Sequence, residues 1–253
     1  MRALKYFAAS LFSIALLCTA MSCVNLSKAG NKDTGFAVVE LFTSEGCSSC
    51  PPADAVVAKI QKESEGKPVY ILAYHVDYWN RLGWKDAFSS SDYSNRQKQY
   101  AEWLHSVDGI YTPQIVVNGK TEFVGSEENT LRSNLKTDLA INAIAHLSLS
   151  NIQIDGQKIK LQYQTGGVTQ NAVLQLAVVQ RSAQTQVKAG ENNGRTLSHV
   201  QIVRALQTVK LKHADGATEI VVPKEVNIQG VELIAFLQDS TNGAITGAAK
   251  ADL

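Results

Sequence analysis

Cys47-Ser48-Ser49-Cys50 sets two thiols three positions apart, followed at once by Pro51-Pro52. Two thiols at that spacing can join and separate with little chain movement, so the residues point to thiol–disulfide exchange. Their setting sharpens this. Residues 36–42 form a short β-rich run, whereas 53–65 carry Val56, Val57 and Ile60 at helical spacing. The pair therefore stands where a strand gives way to a helix. Free backbone N–H groups and the positive dipole end at a helix start favour a thiolate at Cys47, the attacking species. Cys50, one turn later, can resolve the mixed disulfide. Glu45 opposes the thiolate, and the helix terminus promotes it. A bridge between such near neighbours closes too small a loop to constrain the unfolded chain much, which favours a reactive pair over a staple.

Other residues could serve this chemistry, each with a plainer alternative. Glu40 sits among Val38, Val39, Leu41 and Phe42, where desolvation favours a neutral carboxyl able to accept the Cys50 proton. The alternative is an acid on an exposed strand face. His75, with Asp77, Tyr78 and Trp79, follows the next β run. It either stabilises the Cys47 thiolate, or adds a third metal ligand, or is a hydrogen-bonded strand-end histidine. Trp79 and Trp84 either line a substrate groove or cover core beneath a long loop. Arg96, Gln97, Tyr100 and Trp103 lie at helical spacings that a packed helix explains. The polar 190–195 loop is either a hairpin turn or a segment that reaches the cysteines and selects partners. His105, His146, His199 and His213 are too widely spaced to form a metal motif.

The 253 residues suffice for two modest domains, and 45% hydrophobic with 19% charged residues is an ordinary soluble composition. A net charge of +1 without a long basic run excludes the electrostatic footprint of a nucleic-acid binder. Arg2 and Lys5 precede an apolar stretch, residues 6–17, that is too short to span a bilayer. Residues 1–22 therefore read as an export signal and 23–34 as a tether. Ala20-Met21-Ser22-Cys23 resembles a bacterial lipobox, which would lipidate Cys23, but it also suits ordinary cleavage before that residue. A lipidated Cys23 followed by Val24 implies, by that resemblance, an outer-membrane anchor in a host with two membranes. The expected location is the periplasm or the outer membrane.

The pattern continues with a strand at 69–75, a helix at 91–106, strands at 114–118 and 121–124 joined by the hairpin signal Asn118-Gly119, and a helix at 127–140. That order resembles thioredoxin. Such proteins carry a cis-proline before the third core strand, facing the cysteines, and Thr112-Pro113 fits. The segment from Val39 to Asp54, with His75-Val76-Asp77-Tyr78-Trp79 and Leu82-Gly83-Trp84, resembles the bacterial secreted thioredoxin-like family called domain of unknown function 1223. Gly190-Glu191-Asn192-Asn193-Gly194-Arg195-Thr196-Leu197-Ser198-His199 and Arg204 extend the likeness. The family has no assigned reaction.

From residue 144 the texture becomes alternating, with a hairpin at Asp155-Gly156 and β runs at 172–179, 208–211, 218–222 and 231–238. The expected fold is thus an α/β thioredoxin-like domain over 35–142 followed by a smaller all-β sandwich-like domain over 143–253. The expected function is exported thiol–disulfide exchange on proteins or small thiols, with Cys47 attacking, Cys50 resolving and Glu40 moving the proton. The resemblance implies that Thr112 and Pro113 hold substrate chain, and Trp79 is a further candidate for the substrate groove. No cofactor, metal or nucleic acid is expected. One alternative is a copper-binding or delivery protein, which two thiolates and a histidine could support, although Met1 and Met21 are the only methionines. Another is a non-catalytic surface lipoprotein with inert cysteines.

Overall fold

A computed structural model describes residues 34–107 and 109–253. The expected export signal and Cys23 lie outside the described residues.

β1 (Ala37–Thr43) is buried along its whole length, because both faces are covered. Val38 and Phe42 meet Leu72, Tyr74, Tyr93 and Tyr100 on one side. Ala37, Val39 and Leu41 meet Ala53, Val57 and Ile60 of α1 (Pro51–Glu63) and Leu131 and Leu135 of α3 (Glu128–Leu139) on the other. The alternation follows from the two-residue period of a strand. β1 pairs in parallel with β2 (Val69–His75) and antiparallel with β3 (Gln114–Val117), which turns through Asn118-Gly119 into β4 (Thr121–Val124). Both turn residues have positive φ, 48° and 64°, as such a hairpin requires. α2 (Ser91–Trp103) starts at Ser90, whose hydroxyl accepts from Asp92 N at 3.2 Å.

The remaining strands are β5 (His146–Asp155), β6 (Lys158–Gly166), β7 (Ala172–Gln186), β8 (Thr196–Lys210), β9 (Asp215–Val221), β10 (Val231–Asp239) and β11 (Ile245–Asp252). Four of them, β7, β8, β10 and β11, join the sheet of β1–β4. One mixed sheet runs β11-β10-β7-β8-β2-β1-β3-β4, and a three-stranded sheet β5-β6-β9 lies against its β7–β10–β11 part. The protein is mostly β with few helices, so the expected α/β thioredoxin-like domain with its own smaller β domain is overturned. The cause is β7 and β8. Each is 15 residues long, about 50 Å of extended chain, and β8 reaches back to lie parallel beside β2 at Ala73↔Ile202. The sheet therefore crosses the expected boundary at 142–143.

Candidate thiol–disulfide site

Cys47 and Cys50 form a disulfide at the start of α1, with their Cα atoms 5.4 Å apart. The segment before the helix is built from turns: Cys47 N donates to Ser44 O at 3.2 Å and Cys50 N to Cys47 O at 3.2 Å. Pro51 and Pro52 then open α1, where a missing N–H has no helical partner to lose. Ser48 and Ser49 face solvent, but both cysteines are fully buried. A thiol can therefore reach either sulfur only after a covering group moves.

Two segments lie on the pair. The Thr112–Pro113 peptide is cis, and Thr112 O accepts from Ser49 Oγ at 3.4 Å. Trp79 Nε1 donates to Thr112 Oγ1 at 2.8 Å, so the three residues expected to hold substrate chain are neighbours on this rim. On the other side lies the tip of the β7–β8 hairpin. Asn192, fully buried, donates from Nδ2 to the carbonyls of Glu45 and Cys47, both at 2.9 Å, while Arg195 Nη1 holds its Oδ1 at 2.7 Å. Glu191 Oε2 accepts from Ser48 N at 3.0 Å, which holds that carboxyl below the usual carboxylate range. The 190–195 loop is thus both a hairpin turn and a contact on the cysteine segment.

Glu40 lies elsewhere. It shares the β1 face of Val38 and Phe42, whereas α1, which starts at the disulfide, packs on the opposite face. Arg96 grips Glu40 with Nε at 2.5 Å and Nη2 at 3.0 Å, and Tyr100 Oη donates to it as well. Burial alone would pull the Arg96 value down, but Glu40 holds it well above the ordinary arginine range. The guanidinium is also sandwiched by Tyr100 at 5.0 Å, Phe236 at 5.4 Å and Tyr74 at 5.5 Å. Glu40 is therefore half of a buried ion pair on the face of β1 opposite α1, where Arg96 and Tyr100 occupy its oxygens.

The group beneath the disulfide is a different one. Asp54, four residues after Cys50, falls on the same helix face, and its N donates to Cys50 O at 3.1 Å. Burial pushes its carboxyl up to about 6, although His199 and His75 nearby pull the other way. His75 Nδ1 and Asp86 Oδ2 are 2.7 Å apart and both buried. Burial opposes the imidazolium, yet Asp86 raises His75 above its ordinary value, and His75 in turn lowers Asp86 despite burial. Asp86 also accepts from Glu45 N at 2.9 Å, tying this pair to the cysteine segment. His199 and Glu45 complete the cluster. Among the expected residues, Asp77, Tyr78 and Gln97 knit the long loop to α2 through Ser94 and Gln97, and Trp84 donates to Glu45 Oε2 at 2.7 Å. Asp54, Asp86 and His199 are candidates to which sequence reasoning gave no role in exchange, although Asp54 and His199 lie in the family-like segments. The four-residue step from Cys50 would have singled out Asp54; nothing local marks Asp86. Among the described residues no group of three or more His, Cys, Asp or Glu is arranged to hold a metal ion, and no helix is long and apolar enough to cross a membrane.

A mostly β protein whose mixed sheet presents a helix-terminal disulfide over buried histidines and carboxylates is the class these features define. The chain belongs to the family described as protein of unknown function (DUF1223), which matches residues 38–238. It is similar to a protein of Agrobacterium tumefaciens with a crystal structure, at 28% identity and a TM-score of 0.65, covering 85% of this chain and 93% of that one. It also aligns with a domain of the outer membrane lipoprotein Omp28 from Porphyromonas gingivalis, at 13% identity and a TM-score of 0.27, over 44% of this chain and 88% of that one. No curated protein matches.

Proposed function

We propose that the chain is an exported thiol–disulfide oxidoreductase in which Cys47 forms the mixed disulfide with a partner and Cys50 resolves it. The observation that carries this reading is the disulfide itself, closed between residues three apart at the N-terminus of α1. Such a bridge adds little stability through loop closure, whereas the helix terminus stabilises a Cys47 thiolate once the bond is open. Thr112 and Pro113, beside the pair, offer a rim along which a partner chain can lie, with Trp79 fixing Thr112. The charged and apolar pattern of residues 2–17 supports export, which suits a compartment in which disulfides persist.

Trapping tests the proposal. With Cys50→Ala, the mixed disulfide at Cys47 cannot be resolved, so exported partners accumulate as thiol-sensitive adducts on non-reducing gels. Cys47→Ala forms none. If neither variant traps a partner while the wild-type protein holds Cu(I) through both sulfurs, copper binding replaces exchange as the function.

A further inference from the structure

His199, from β8, is 2% exposed, and neither ring nitrogen has a hydrogen-bond partner among the described residues. Its Nε2 lies 3.5 Å from Glu45 Oε1, and its Nδ1 lies 3.7 Å from Asp54 Oδ2. Glu45 Oε1 is likewise without a hydrogen bond. One imidazole thus stands between two buried carboxyl groups, one two residues before Cys47 and the other four after Cys50. His75 packs edge-on against His199 at 4.8 Å; its Nδ1 is bound to Asp86, while its Nε2 has no hydrogen bond among the described residues, and both His75 and Asp86 act on Asp54 electrostatically. Arg204 lies over Phe88 at 5.1 Å, and Phe88 separates it from His199. Trp84 and Thr43 donate to the outer oxygens of Glu45 and Asp54.

Buried polar atoms without partners are costly, so two open ring nitrogens set 3.5 and 3.7 Å from two carboxyl groups leave acceptor and donor positions that a moving proton can fill. We propose that Glu45, His199 and Asp54 form a buried row that exchanges one proton with the Cys50 sulfur during disulfide exchange, an extension of the thiol–disulfide reading on which it rests.

The step balances as follows. A partner thiolate attacks Cys47 Sγ, a new S–S bond forms, and the Cys47–Cys50 bond breaks with its electron pair leaving on Cys50. The row gives that thiolate a proton, so the negative charge moves from sulfur to the row. The partner's second thiolate then attacks the partner's sulfur in the mixed disulfide and releases Cys47 as a thiolate. The partner dithiol loses two electrons, the Cys47–Cys50 pair gains them, and the row recovers its proton from water. In reverse, the row removes the Cys50 proton and makes that sulfur the nucleophile that resolves the mixed disulfide. The row of Asp54, Glu45 and His199 acts as general acid and base on the Cys50 sulfur in this scheme.

Reaction of the pre-reduced chain carrying Cys18→Ser and Cys23→Ser, so that Cys47 and Cys50 are its only thiols, with a dithiobis-nitrobenzoate probe separates the steps. Attack by Cys47 releases one nitrothiolate, and resolution by Cys50 releases the second. In the wild type the second release should depend on pH with a midpoint near Asp54's value of about 6. Asp54→Asn and His199→Gln should slow it, relative to the first release, by about a hundredfold or more and remove that midpoint. Thr43→Val keeps the row but deletes a hydrogen bond that stabilises the Asp54 carboxylate. Its midpoint should rise, a shift that a purely structural role would not produce. A wild-type midpoint and step ratio in all three variants overturns the row while leaving exchange intact. A wild-type protein that releases no second nitrothiolate at any pH overturns the exchange reading and the row together.

Discussion

Cys47→Ala should reduce exchange with a dithiol partner to near the uncatalysed background, a loss on the order of a thousandfold or more, because Cys47 is the sulfur that forms the mixed disulfide in this account. Cys50 is the N-cap residue of α1, with its carbonyl bound to the N–H groups of Ala53 and Asp54, and serves in this account as the resolving sulfur. Turnover of a peptide disulfide by wild type, Cys47→Ala and Cys50→Ala measures the difference. Retention of more than a tenth of the rate in Cys47→Ala would assign the nucleophile elsewhere.

The second large effect concerns folding. Arg96→Met should destabilise the protein by about 3–5 kcal/mol, because it leaves the Glu40 carboxylate buried without its cation. Adding Glu40→Gln to that variant should restore much of the loss, since removal of both charges leaves neither one stranded. Urea unfolding monitored by circular dichroism gives both values. A loss below about 1 kcal/mol for Arg96→Met would mean that the Arg96–Glu40 pair contributes no more than a surface ion pair.

The same pair shows where sequence reading stops. Apolar neighbours marked Glu40 as buried, and it is. Burial of an acid has two outcomes, a neutral carboxyl or a paired carboxylate, and the choice depended on Arg96, 56 residues away on α2. Strand-by-strand the N-terminal half was legible, from β1 through α3, because short apolar runs, the Asn118-Gly119 turn and the proline pair punctuate it locally. The sheet was not. Which strand lies beside β2 is settled by main-chain hydrogen bonding, which leaves no local mark. The half of β8 that reaches β2 carries His199 and Gln201, both buried polar residues that break the expected alternation, and Gln201 has a φ of 54°. β11 is rich in alanine and glycine and gave no strand signal. The site shared this division. The cysteines, Thr112, Pro113 and Trp79 were visible, whereas the cluster beneath them draws on the loop after β2 and on β8, segments that meet only through the unforeseen sheet.

Equilibrium of the full chain with defined glutathione redox buffers, read by alkylation of free thiols and mass, tests the central claim most directly. A disulfide that works in exchange should have a reduction potential above about −300 mV and reduce measurably within that range of buffers. A potential below about −300 mV, with Cys47 and Cys50 still joined in the most reducing buffer, would identify the bridge as a structural link and contradict the account.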